Sequence, residues 1–130
     1  MVATNSYAYG AIGFYYTWLK TNSKYKMITI VTDNVSEKVQ EELIENGLTL
    51  FIVPNKVFTN SFVEEDDRYR YTINKFYLHA LAKYFKRAFY CDATVLAMYN
   101  CDDIIENNDQ NCFWGFVNPR YNEIRASGSM

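Results

Sequence analysis

Met27-Ile28-Thr29-Ile30-Val31-Thr32, bounded by Lys26 and Asp33, limits the fold more than any other stretch of the chain. A run this apolar and β-branched suits a strand covered on both faces, and such strands belong to parallel sheets flanked by helices. Leu50-Phe51-Ile52-Val53, closed by Pro54, reads as a second strand of the same kind. Between the two lie Ser36 as a helix N-cap, an apolar stripe of Val39, Leu43 and Ile44 on an otherwise charged helix, and Asn46-Gly47 as a left-handed stop. Upstream, Ala11, Ile12, Tyr15 and Leu19, with Phe14 and Trp18 filling in, mark a broad helical face over residues 8–20, ended by Thr21-Asn22-Ser23. Met1-Val2-Ala3-Thr4-Asn5 reads as the last residues of a strand entering a loop. Strand, helix, strand, helix, strand predicts an α/β fold with a parallel sheet and right-handed crossovers.

At 130 residues the chain is expected to form one domain, 1–130, that buries roughly two-thirds of its unfolded surface. Thirteen basic against fifteen acidic residues give a net charge of −2, which disfavours polyanionic partners: no nucleic acid and no membrane surface is expected. Cys91, Cys101 and Cys112 are odd in number and lack Cys-x-x-Cys spacing, which argues against a disulfide framework or a zinc site and for a reducing compartment. With no leader pattern and no apolar window long enough to span a bilayer, a soluble, cytoplasmic protein is the expectation. Aromatic residues reach 18%, mostly Tyr, whose phenolic edge suits half-buried positions; a compositional bias accounts for them equally well.

Further along, residues 55–71 show no period and carry the acidic run Glu64-Glu65-Asp66-Asp67 before Arg68 and Arg70, the pattern of a surface loop. Ile73, Phe76, Tyr77, Ala80, Leu81 and Tyr84 then recur at helical spacing, with Thr72 or Asn74 starting the helix. His79 lies beside that stripe, and with no second histidine it reads as structural. Ala88-Phe89-Tyr90-Cys91 reads as a buried strand ending in Asp92. An acid at that point sits at the carboxyl edge of the sheet, where open α/β folds bind ligands, although a turn-forming or capping Asp is the competing reading. Asp102 and Asp103 before Ile104-Ile105 fit the first turn of a short helix, and residues 112–117 read as a fifth strand.

Residues 88–105 resemble the signature of glycosyltransferase family 8, the glycogenin-like enzymes: Asp92-Ala93-Thr94 stands at the Asp-x-Asp motif and Asn100-Cys101-Asp102-Asp103-Ile104 at the trailing segment, with the family's spacing between them. Thr4-Asn5-Ser6-Tyr7-Ala8-Tyr9-Gly10-Ala11 is similar to the family's first loop and helix start, one residue shorter, and Asn74-Lys75-Phe76 resembles its Thr-Lys-Leu. Ala126-Ser127-Gly128 is a partial match to the family's Asn-Ser-Gly element. Two departures stand out. Thr94 replaces the second motif Asp with a neutral, weaker ligand, and nothing matches the family's later His-x-x-Gly-x-x-Lys-Pro-Trp segment.

The resemblance implies a Rossmann-like nucleotide-diphospho-sugar transferase fold of the GT-A type, a mostly parallel sheet with flanking helices and an incomplete C-terminal half. It implies retaining transfer of a hexose from a UDP-sugar to an acceptor the sequence does not name. Thr4, Asn5 and Tyr7 would hold the base, Lys75 would face the sugar nucleotide, and Asp92, with Thr94 beside it, would hold Mn²⁺ or Mg²⁺ against the diphosphate. From the residues alone, Asn5 or Ser6 is an ordinary helix cap and Lys75 a solvated lysine. Two other classes stay open: a non-catalytic interaction module that kept the fold, and a dinucleotide-dependent oxidoreductase, which the missing Gly-x-Gly-x-x-Gly fingerprint disfavours. Strands this apolar beside an incomplete half also lead us to expect self-association.

Overall fold

The computed structural model describes residues 1–56, 72–107, 117–118 and 123–124. A short 3-10 helix, η1 (Asn5–Tyr7), runs directly into α1 (Ala8–Lys20), followed by β1 (Thr29–Thr32), α2 (Glu37–Glu45), β2 (Leu50–Val53), a second 3-10 helix η2 (Thr72–Lys83) and α3 (Asp102–Asn107). β1 and β2 pair in parallel, Thr29 opposite Leu50 through Thr32 opposite Val53. The N-terminal residues add a third position to this sheet: Val2 bridges Val31 in parallel, donating to the Ile30 carbonyl at 2.8 Å and accepting from the Thr32 amide at 3.1 Å. The β–α–β order read from the sequence is therefore present, as a small parallel sheet with helices flanking it. Farther on, β3 (Val117–Asn118) and β4 (Glu123–Ile124) form a separate antiparallel pair.

All four residues of β1 are buried, as a strand central to the sheet requires. One face of the sheet meets α1 and α2, where Val2, Ala8, Ala11, Val31, Val35, Leu43, Leu48 and Ala93 form one core cluster. Leu43 is fully buried, and burial of such a side chain contributes roughly 1.5–3 kcal/mol. Ile30 and Val53 form a second cluster with Leu81 of η2. The Asn46-Gly47 stop works as the sequence indicates: Gly47 has φ +89°, and the Gly47 and Leu48 amides return to the Ile44 and Leu43 carbonyls at 2.8 and 3.1 Å. At the start of α2, by contrast, the Ser36 hydroxyl makes no capping bond; the Ser36 amide instead donates to Asn5 Oδ1 at 3.0 Å.

Three expectations need correction. Residues 27 and 28 lie outside β1, because β2 begins pairing only at Leu50. The stripe from Ile73 to Tyr84 forms a helix of the 3-10 kind over Thr72–Lys83, so its side chains rotate faster around the axis than the 3.6-residue pattern assumes, and Phe76 and Tyr84 end up exposed. Residues 88–91 form no strand. Tyr90 is buried, but on that side of the sheet only Val2 is bridged to β1, so this run has no continuous neighbour to pair with among the described residues. The acidic run of residues 64–67, Arg68, Arg70, residues 112–116 and residues 126–128 lie outside the described residues. No helix among the described residues is long and apolar enough to cross a membrane.

The trailing segment docks through α3. Ser23 donates its hydroxyl to Asp102 Oδ1 at 2.5 Å and the Lys24 amide donates to Asp102 Oδ2 at 3.0 Å, so Asp102 ties the start of α3 to the end of α1. These donors hold the Asp102 carboxyl below its ordinary range, the Ser23 bond contributing most. Lys24 pairs with Glu106, and Arg87 donates to the Ile105 and Glu106 carbonyls at 2.7 Å each, satisfying the end of the helix. Asp102 is structural, as its place before Ile104-Ile105 suggests.

Candidate functional site

The carboxyl ends of the parallel strands deliver three polar loops to one edge of the sheet. After β1, Asp33 Oδ1 accepts the Asn55 amide at 2.9 Å, joining the loop that follows β2. Asn55 Oδ1 in turn accepts from Asn74 Nδ2 at 3.0 Å, while Asn74 also accepts the Lys56 amide at 2.7 Å and donates to the Lys56 carbonyl at 2.9 Å. Asn74 is fully buried, and this set of bonds offsets the cost of placing an amide there. On the N-terminal side, Asn34 Nδ2 donates to the Ala3 carbonyl at 3.0 Å, and Asn5 reaches across to Ser36. The edge where ligands bind in open α/β sheets is thus a hydrogen-bonded rim.

Asp92 stands at the end of the run that follows η2 and is half-buried. The Tyr90 hydroxyl donates to Asp92 Oδ1 at 2.8 Å. Burial first, and then this bond, raise the Tyr90 phenol well above its ordinary value. Burial also pushes the Cys91 thiol up to about 11. The Met1 amine is lowered by its own burial, with Asp92 pulling the other way. Ala93 is buried in the same cluster as Ala8 and Ala11, and the turn it belongs to lies directly on the first turns of α1. A side chain at Gly10 would collide with the Ala93 carbonyl, so glycine is what permits this approach.

Two groups of the residues read from sequence come together. Thr4, Asn5 and Tyr7 share one turn that enters α1, and Asp92 to Thr94 rest on that same end of the helix. Within the turn, Thr4 Oγ1 and Ser6 Oγ lie 2.9 Å apart, and Asn5 spends its carbonyl oxygen on α2, leaving its amide nitrogen with no partner among the described residues. Tyr7 is 45% exposed, enough to offer a ring face to a flat ligand. Lys75 belongs to the other side of the edge: it is half-buried at the start of η2, next to Asn74, and no hydrogen bond or ion pair joins it to Asp92 among the described residues. His79 is exposed and stacks on Phe76 at 6.2 Å.

Among the described residues no three His, Cys, Asp or Glu side chains converge on one point. Asp92 offers one half-buried carboxylate and Thr94 one exposed hydroxyl, too few for a closed protein cage. They do fit a hard divalent cation that arrives with phosphate oxygens, since Mg²⁺-type sites use one or two carboxylates and take the rest of their ligands from substrate and water.

No protein-family model matches the chain, and no curated protein matches it.

Asp33, Asn55 and Asn74 are the rim residues to which sequence reasoning gave no site role. The signal existed for two of them: Asp33 closes a β-branched run, as Asp92 closes an aromatic one, and Asn55 follows Pro54 at the end of β2. Asn74 reads from the sequence as a helix start and as part of the Asn74-Lys75-Phe76 resemblance, but its bonds depend on the 3-10 turn that aims it back at residues 55 and 56.

Proposed function

We propose that the chain is the nucleotide-sugar-binding part of a glycosyltransferase of the glycogenin-like kind, with the GT-A type of fold, acting as a hexosyltransferase on a UDP-sugar. The observation that carries this reading is the seating of the Asp92–Ala93–Thr94 turn on the first turns of α1, immediately after the Thr4-to-Tyr7 turn. A base-binding loop and a metal-binding acid must meet at one end of a parallel sheet for a nucleoside diphosphate to span them.

In this reading Thr4, the Asn5 amide and Tyr7 hold the uracil, and Lys75 adds positive charge toward the sugar. A divalent cation, Mn²⁺ or Mg²⁺, held by Asp92 and more weakly by Thr94, would neutralise the charge of the departing diphosphate. Tyr90 fixes the Asp92 carboxylate by its 2.8 Å bond and keeps its own proton while doing so.

Isothermal titration of UDP with and without Mn²⁺ tests the reading. UDP is expected to bind at least tenfold more tightly with Mn²⁺; Asp92→Asn removes that difference and Thr94→Asp enlarges it. Equal UDP affinity with and without the metal in the parent chain would contradict the proposal.

A second reading, a non-catalytic interaction module, is favoured by one observation. Leu96, Met98 and Tyr99, just past Asp92, are 60, 72 and 80% exposed, a run of apolar surface that monomers seldom leave wet. Absence of UDP binding together with concentration-dependent association would favour it.

A further inference from the structure

A cleft of about 370 Å³ opens beside the sheet, between the edge of β1 and residues 88–91. Met27, Ile28, Ile30, Leu81, Phe89 and Tyr90 line it, so its walls are mainly apolar. Its position in the sheet explains it. Val2 uses the Ile30 carbonyl and the Thr32 amide, and among the described residues it is the only bridge on that side of β1. In a parallel ladder the bonding groups alternate sides residue by residue. Thr29 faces β2 through its bond to Thr49, so the Ile30 amide and the Ile28 carbonyl face the side of β1 on which Val2 is bridged. The opposite wall, residues 88–91, is in no strand. The buried side chains repeat the message: Thr29 is 2% exposed, lines the cleft, and its Oγ1 has no hydrogen-bond partner among the described residues. An apolar gap with backbone groups at strand spacing on one wall, an unpaired run on the other and an orphaned hydroxyl between them has the form of an unfilled strand position.

The chain itself carries a segment of the matching kind. Val95-Leu96-Ala97-Met98 lies in no helix, strand or turn, and with Tyr99 it exposes four large apolar side chains. Among the described residues the Ala97 amide donates to Thr17 Oγ1 at 3.0 Å and the Tyr99 carbonyl accepts from Cys101 Sγ at 3.4 Å. The edge from Lys26 to Ile30 spans about 13 Å at strand rise, the length of a segment of this size. We propose that the cleft is a strand-acceptor groove for residues 95–99 of a second copy of this chain, exchanged reciprocally so that the assembly closes as a two-fold dimer. The pairing covers the exposed Leu96 and Met98 and extends the sheet beyond Val2. Tyr90 and Asp92 line the same cleft, so this pairing adjoins the nucleotide-sugar site, but light scattering reads the dimer and titration reads UDP, so either reading can fail alone.

Light scattering over a concentration series tests it, with two variants and one competitor. Ile28→Pro removes an amide on the cleft side of β1 and leaves the ladder to β2 intact, which an edge position tolerates. The double variant Leu96→Glu, Met98→Glu charges the inserted segment and leaves the cleft unchanged. The parent chain is expected to be a dimer at micromolar concentration; each variant weakens dimerisation at least tenfold with unchanged far-ultraviolet dichroism, and a capped synthetic peptide spanning residues 94–100 dissociates the parent dimer. A parent chain that stays monomeric to 100 µM would overturn the proposal. So would a dimer that neither variant weakens and the peptide does not dissociate, because a different surface would then hold it.

Discussion

The carbonyl oxygen of Ala93 occupies the space that a side chain on Gly10 would need. This one approach fixes the turn carrying Asp92 and Thr94 against the helix that follows the Thr4-to-Tyr7 turn. Three residues away on the same helix, Gly13 has, among the described residues, only Leu96 Cδ2 near it, at 3.9 Å from where a Cβ would sit. The two glycines therefore respond oppositely to alanine. Gly13→Ala gains helix propensity and is expected to stabilise by about 0.5–1 kcal/mol. Gly10→Ala forces the backbone of the Asp92 turn outward and is expected to cost about 1–3 kcal/mol, in the range of overpacked cores. Urea midpoints for the two variants check the pair; equal responses would show that the turn does not rest on Gly10.

Asn74 is the second position where the account is exposed to a simple test. Asn74→Ala leaves the Lys56 amide, the Lys56 carbonyl and Asn55 Oδ1 without the partner they share. Unsatisfied buried polar groups cost roughly 1–3 kcal/mol each, so a loss of about 3 kcal/mol is expected. Asn74→Asp keeps the acceptor for Lys56 but loses both donor bonds, and should not rescue stability. Chemical denaturation measures both, and a loss under about 1 kcal/mol for Asn74→Ala would mean that water replaces the side chain.

Stability should fall on the alkaline side. Burial raises the Cys91 thiol from 9.0 to about 11 and raises the Tyr90 phenol above its ordinary 10.0. Both groups hold their protons more tightly in the fold than in the unfolded chain. Their contribution is complete below the unfolded values and is lost as pH rises through 9 to 11. Melting temperature is thus expected to decline over that window, and Cys91→Ala to decline less steeply. Parallel curves for parent and variant would show that the thiol is not buried.

Much of this arrangement can be read from the sequence, and the parts that cannot have a common physical cause. The β-branched run ending at Thr32, the Pro54 that closes β2, and Asn46-Gly47 after α2 act locally, so their residue types are enough to place them. The run of residues 88–91 has equally good strand chemistry and still forms no strand, because pairing depends on a neighbour and, among the described residues, β1 is bridged on that side only at Val2. The helix from Thr72 shows the same limit in another form: its apolar spacing fits 3.6 residues per turn, yet the bond from Asn74 to residues 55 and 56 draws its first turn into the sheet edge. Asp92 was legible as the end of an apolar run. Its closeness to α1 was not, since it depends on the approach of Ala93 to Gly10, residues far apart in the chain. Asn5 was legible as polar and loop-forming, but its bond to Ser36 depends on where α2 starts, 31 residues later.

The central claim is that a nucleoside diphosphate and its cation sit between the Asp92 turn and the start of α1. Paramagnetic Mn²⁺ broadens the amide resonances near it, so a nuclear magnetic resonance titration of the isotope-labelled chain with Mn²⁺, in the presence and absence of UDP, locates the ion directly. The account predicts UDP-dependent loss of signal from Ala93, Thr94 and Gly10, with the Asp103 and Ile104 amides of α3 retained. Signal loss centred on α3, or no loss that depends on UDP, would contradict it.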